Sequence, residues 1–164
     1  MEKRTLVCLF CAIGLTYTLS QTTEVQPANS SCTFADGKQM SIRYFTVHYS
    51  KTPEGQVWQP GNKPVLLFTQ APLSTAGADI PIGAFSIYLL PNKKNWTLVV
   101  NKNVTPGIAY DEKQDLVRVP MQMGELGDKA DLLKLILVHV APRQCNIRVY
   151  WGKTAGWAEF KEES

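Results

Sequence analysis

The chain has 164 residues, of which 45% are hydrophobic and 19% charged, and carries a formal net charge of +3 at neutral pH. That length fits one domain with a real core. So small a charge, carried by scattered Lys and Arg, gives no electrostatic footprint for nucleic acid.

The first twenty residues read as a secretory signal peptide. Glu2-Lys3-Arg4 is a short, mildly basic start, Thr5 to Leu19 is apolar, and Thr18 and Ser20 offer small side chains for a peptidase. The apolar run, about fifteen residues, is short for a membrane span. An uncleaved N-terminal anchor is the alternative, and polar Gln21-Thr22-Thr23 speaks for cleavage. Cys8 and Cys11 lie inside the run and would be discarded. Cleavage would remove Glu2, Lys3 and Arg4, leaving a net charge of +2. No later stretch is long and apolar enough for a helical span, so the mature chain is expected to be soluble, either secreted or periplasmic.

Gln21 to Ser31 is polar and without periodicity, as a disordered leader would be. The domain is expected over residues 32–162. Two cysteines remain in it, Cys32 and Cys145. An even pair in an exported chain reads as a disulfide, and two unrelated buried thiols are the alternative.

From Cys32 onward, short apolar segments alternate with turn signals. Gln39 to Tyr49 alternates, with Ile42, Tyr44, Thr46 and His48 on one face. A Gly/Pro-rich loop follows, then a short strand over Val65 to Thr69. Phe85, Ile87 and Leu89 share a face, Pro91 to Asn95 makes a turn, and Trp96, Leu98 and Val100 return as the second strand of a hairpin. Leu116 to Met121 is a further strand. Asp131 to Val140 could be helix or buried strand, and its β-branched residues favour strand. Asn146 to Trp151 and Ala155 to Lys161 form a last pair around Gly152 to Thr154. The expected fold is all-β, a two-sheet antiparallel β-sandwich of about seven or eight strands.

Few residues carry chemistry. His48 and His139 each end an expected strand, and with a carboxylate they could form the metal site of a metal-dependent hydrolase. They lack HxH or HExxH spacing and have no evident third ligand, so solvent-facing histidines are the simpler reading. Asp111, Glu112 and Asp115 lie in one segment with Lys113 between them and read as a solvated loop. EF-hand spacing, GxSxG and phosphate-binding glycine loops are absent from the sequence, and no cofactor is expected.

The aromatic residues remain. Trp96, Trp151, Trp157, Tyr44, Tyr88 and Tyr110 fit a core or a stacking face. Trp58 differs, since it lies in a Gly/Pro loop, where function concentrates. With Gln59 and Asn62 it is the candidate binding surface. The expectation is a non-catalytic binding or structural module whose partner is a small ligand, a glycan or an envelope protein.

Several stretches together resemble the bacterial DUF2911 family of exported domains of unknown function. They are Ser31 to Tyr44, Gly55 to Asn62, Ile80 to Lys102, Tyr110 to Met121 and Cys145 to Thr154, with the hairpin PxGxFS…LPxxKxWTLVxNK the most specific. The resemblance implies a secreted β-sandwich and supports pairing Cys32 with Cys145, and it implies no reaction. After Trp58 the family pattern runs Arg, small, Gly, Ala, Asn, Glu, whereas this chain reads Gln59, Pro60, Gly61, Asn62, Lys63, Pro64. An Arg or Glu role in that loop is therefore not carried over. The bacterial resemblance also makes the Asn-x-Ser/Thr triplets at Asn29, Asn95 and Asn103 coincidental.

Overall fold

A computed structural model describes residues 25–163. The expected signal peptide, and the first part of the expected leader, lie outside the described residues. Ten strands form two antiparallel sheets: β1 Gln26–Thr33, β2 Gln39–Thr46, β3 Leu66–Thr69, β4 Leu73–Thr75, β5 Ala78–Ile80, β6 Gly83–Pro91, β7 Trp96–Asn101, β8 Asp115–Pro120, β9 Gln122–Ala141 and β10 Gln144–Glu162. One sheet has six strands in the order β1-β2-β3-β6-β7-β8, and the other four in the order β5-β4-β10-β9. The all-β, two-sheet expectation holds. No α-helix occurs among the described residues.

The inward faces follow the period-2 patterning of the sequence. Met40, Ile42 and Tyr44 of β2, Phe85, Ile87 and Leu89 of β6, and Trp96, Leu98 and Val100 of β7 are all buried in one core. They meet Leu133, Leu135 and Leu137 of β9 and Ile147, Val149 and Trp151 of β10. The hairpin register is as its alternation suggests, with Ile87 opposite Val100 and Leu89 opposite Leu98.

Four expectations need correction. Gln26 to Ser31 belongs to β1 and is not a disordered leader. Its eight residues pair with β2 from Gln26–Thr46 to Thr33–Gln39, and polar side chains suit its position at a sheet edge. The alternation of β2 stops at Thr46, so Val47 turns inward while His48 is exposed. The short β4–β5 hairpin escaped notice because Ala76-Gly77 is an inconspicuous turn. Both residues have positive φ, 49° and 79°, as a two-residue hairpin loop demands.

The last correction concerns the closing segments, which are one strand, β10. Register shifts between Tyr150, Gly152 and Thr154 mark a bulge, and a bulge bends a strand without ending it. After the bulge β10 continues alongside β9 and reaches β4 through Lys161 and Glu162. Gly152 has φ +59°, and a Cβ there would stand 2.3 Å from the Tyr49 ring. Only glycine lets Tyr49 sit against the bulge.

The sheets are joined covalently. Cys32 on β1 and Cys145 on β10 form a disulfide, with Cα atoms 6.4 Å apart and both residues buried. Hydrogen bonds join the sheets along the same side, Leu137 N–H to Ser30 Oγ at 2.9 Å, Leu133 N–H to Val47 O at 2.9 Å and Tyr49 N–H to Asp131 O at 2.8 Å. The disulfide bridges residues 113 apart in sequence, which in the chain-entropy treatment corresponds to about 5 kcal/mol of unfolded-state destabilisation. A Cys32→Ala/Cys145→Ala protein should lose up to about that amount in urea denaturation. Reduced wild-type protein should show a similar loss.

Candidate functional site

An open cleft of about 700 Å³ lies on the outer face of the six-stranded sheet, within the size range of small-molecule sites. Its floor is Leu66 of β3 with Ser86 and Tyr88 of β6. Two loops form the walls, residues 51–64 on one side and 104–109 on the other. Trp58, Gln59 and Asn62 all line it.

The first wall is attached to the scaffold through Trp151. That side chain, 1% exposed, packs its ring 5.2 Å from Tyr49 and 5.3 Å from Trp58, and its Nε1–H donates to Thr52 Oγ1 at 3.1 Å. The loop then follows the edge of β6 beyond the end of β3. Gly55 N–H donates to Pro91 O at 2.7 Å, Trp58 and Leu89 exchange both backbone hydrogen bonds at 2.8 Å, and Gln59 Nε2 donates to Ile87 O at 3.0 Å. These contacts satisfy backbone groups that would otherwise form an open edge. Trp58 is thus half-buried against the core as well as a lining residue. At the end of the loop Pro60–Asn62 makes a 3-10 turn with Gly61 at φ 66° and Asn62 at φ 54°.

The second wall is held by polar groups. Asn101 is buried, and its Nδ2 donates to Asp111 O and to Asp115 Oδ1, at 2.9 and 2.8 Å. Its Oδ1 accepts from Asn103 N–H at 2.9 Å, Asn103 Oδ1 accepts from Thr105 N–H at 3.0 Å, and Ser86 Oγ donates to Asn103 O at 2.7 Å. Beyond the loop, Tyr110 folds back across the sheet. Its ring lies 4.9 Å from that of Tyr88, its hydroxyl donates to Asp115 Oδ2 at 2.5 Å, and it accepts from Arg118 at 2.7 Å. Arg118 Nε also donates to Asp115 Oδ2 at 2.9 Å. Tyr88, Val99 and Arg118 form one cross-strand row, so Tyr110 lies over Val99, which is fully buried on this outer face.

The acidic segment is therefore not a solvated loop throughout. Asp115 has a side chain only 11% exposed and is the acceptor that unites Asn101, Tyr110 and Arg118. Asp111 accepts from Lys113 N–H and caps the 3-10 turn Glu112–Gln114. The sequence offered Tyr110, Asp115 and Arg118 close together, but nothing in it showed that Asn101 would meet them. Burial, then the carboxylate of Asp115, push the Tyr110 phenol up to about 12. Burial and the same charge also raise Tyr88.

The histidines are not brought together. His48 bridges to Leu132, and His139 stands seven residues further along the same strand, about 23 Å away at the rise of an extended chain. Both are exposed. Among the described residues no cluster of His, Cys, Asp and Glu could hold a metal ion, so the hydrolase alternative loses its site.

The family model described as a protein of unknown function, DUF2911, matches residues 31–159. The chain belongs to the DUF2911 family. No curated protein and no solved structure matches it significantly. The PxGxFS…LPxxKxWTLVxNK stretch that carried the resemblance is the β6–β7 hairpin. In this DUF2911 domain the hairpin supplies the cleft floor through Ser86 and Tyr88 and the Asn101 that holds the second wall.

The two walls make separate predictions. A Cβ at Gly61 would lie 2.6 Å from Val47 Cγ1, and φ there is positive, so Gly61→Ala should cost about 2–3 kcal/mol in denaturant unfolding. For the second wall, a phenol raised in the folded state favours folding fully below the unfolded value of about 10 and loses that contribution as pH climbs towards 12. Absorbance titration at 295 nm should show a late-titrating tyrosine that disappears in Tyr110→Phe. Asp115→Ala should move it only part of the way back, because burial is the larger cause.

Proposed function

We propose that this DUF2911 domain is an exported, non-catalytic binding module that holds a small ligand in the Trp58 cleft. The observation that carries this reading is the cleft itself. Trp58, Gln59 and Asn62 converge on a single concavity with the sheet floor beneath them. Its walls are tied to the fold by the Trp151 and Asn101 contacts, so little ordering is left for a ligand to impose. The lining holds Ser86, Thr105, Tyr88 and Lys51 but no carboxylate, histidine or cysteine, and the Ser86 hydroxyl donates to the backbone oxygen of Asn103 rather than to a base that would activate it. An exported location, secreted or periplasmic, fits the disulfide and the signal-like N-terminus.

The test is a thermal-shift series on purified, oxidised protein against metal ions, oligosaccharides and acyl lipids. A ligand of the native state raises its stability by about 2.7 kcal/mol at a hundredfold excess over Kd. One class should raise the midpoint. That shift should vanish in Gln56→Ala/Asn62→Ala, whose two exposed side chains line the rim and whose unliganded midpoint should fall only by the few degrees that Ala at the positive φ of Asn62 costs. Trp58→Ala is the poorer probe, because Trp58 also packs on the core. A shift untouched by the rim substitutions, or no shift with any class, would point instead to a structural or protein-partner role.

A further inference from the structure

We infer that the ligand of this cleft is a neutral, hydroxyl-rich ring compound of the saccharide class, whose hydroxyls donate to Ser86 Oγ and Gln59 Oε1. This inference rests on the cleft being the binding site and goes beyond it by naming the ligand chemistry.

The argument begins with which hydrogen-bonding groups the fold has already used. Ser86 is 5% exposed and spends its hydroxyl proton on Asn103 O. What it presents to the cleft is lone pairs. Gln59 donates one of its two amide N–H bonds to Ile87 O, which leaves its carbonyl Oε1 and one N–H for a ligand. A hydroxyl has two acceptor lone pairs and an amide oxygen likewise. The inner part of the site therefore offers the acceptors Ser86 Oγ and Gln59 Oε1 beside one amide donor, and it is complementary to a ligand whose groups both donate and accept, as hydroxyls do.

An anion fails this requirement. Carboxylates, phosphates and sulfates carry acceptors alone when ionised, and they would leave Ser86 Oγ and Gln59 Oε1 without donors. The charge of Asp115 also reaches the Tyr88 hydroxyl, where it opposes a second negative charge. Lys51 is the single cation of the lining and lies exposed. A cation fails as well, since no carboxylate lines the cleft to compensate it.

A long acyl chain meets a different difficulty. The lining mixes the apolar Leu66, Val57, Val104 and Ile108 with the polar Ser86, Gln59, Asn62 and Thr105, so an acyl chain filling the cleft would bury polar groups without partners. A sugar ring is mixed in the same way as this surface, with apolar C–H faces beside hydroxyls. Tyr88 and Trp58 supply half-buried aromatic surface for the faces. Among the described residues the Tyr88 hydroxyl has no hydrogen-bond partner, and it stays protonated well above neutral pH. It can donate to a ring or glycosidic oxygen.

Isothermal titration of the full oxidised protein tests this with three probe sets. One is an array of neutral mono- to trisaccharides built from hexoses, pentoses and N-acetylhexosamines. The second is the matched uronic acids and sugar phosphates, and the third is medium-chain fatty acids and alkyl alcohols. The expected result is binding of a neutral saccharide that an anionic counterpart does not match within about tenfold. Raising salt from low to high ionic strength should leave it almost unchanged. Ser86→Ala should weaken it at least about tenfold, the loss of one hydrogen bond to a polar ligand. Because Ser86→Ala also frees Asn103 O, Asn62→Ala at the exposed rim is measured beside it and should weaken binding with only the small fall in melting midpoint that Ala at φ 54° brings.

Tighter binding of the anionic set, falling with salt, or binding of the acyl set alone would overturn the ligand class. Either would keep the cleft as the site if Asn62→Ala still weakened it. Silence from all three sets, or saccharide binding indifferent to both substitutions, would overturn the cleft reading together with the ligand class.

Discussion

The outer architecture of this domain depends on the burial of Trp151. A tryptophan on the inner face of β10 needs a partner for its indole N–H, and Thr52 provides one from outside both sheets. The same ring is packed by Tyr49 and Trp58. Three residues of one long loop are thus fixed against a strand nearly a hundred positions later in the chain. The bulge at Gly152 makes this possible by removing the Cβ that would collide with Tyr49. The loop, once held, has its backbone groups paired along β6 and its turn wedged at Gly61 against Val47. A Gly/Pro-rich segment that composition alone would leave flexible becomes a fixed wall.

The opposite wall is stabilised by other means. Residues 104–109 bury little, and Ile108 remains 53% exposed. Their position comes from the two ends. Asn101 and Asn103 form a run of side-chain to backbone bonds at the start, and Tyr110 ties the far end to Asp115 and Arg118. A buried polar network of this kind is favourable only while each member is satisfied. Here Asp115 accepts from an amide, a phenol and a guanidinium, which compensates its desolvation. One wall therefore rests on aromatic packing and the other on a polar network centred on Asp115.

Much of the fold was legible because its strands obey period 2 and one face is dry. The β6–β7 hairpin is the clearest case, where Phe85, Ile87, Leu89, Trp96, Leu98 and Val100 announced both the face and the turn. What escaped were features whose cause lies elsewhere in the chain. Polar β1 has no alternation of its own and is a strand because β2 and the Cys145 disulfide hold it. Gly152 looked like a turn because a glycine at a bulge and a glycine in a loop read alike in sequence. At the site, Trp58 was conspicuous as an aromatic in a loop, and Gln59 and Asn62 came with it. Ser86, Asn101 and Asp115 were not conspicuous, since a single Ser, Asn or Asp acquires meaning only from partners that the fold brings to it.

The loop after Trp58 shows how a cleft wall can vary on such a scaffold. Set against the family pattern described above, this chain keeps the tryptophan and, three residues on, the glycine. Both are positions where the structure leaves no freedom. Trp58 fills the space beside Trp151, and Gly61 touches Val47 with a backbone that no other residue adopts without strain. The positions that differ include Gln59, Asn62 and Pro64, and all three line the cleft. Replacing Arg by Gln at position 59 exchanges a side chain with donors alone for one that also carries an acceptor. One amide N–H is then absorbed by Ile87 O, and the carbonyl acceptor remains beside a second N–H. Packing thus fixes the frame of the loop, and the residues released from packing set the polarity of the cleft wall.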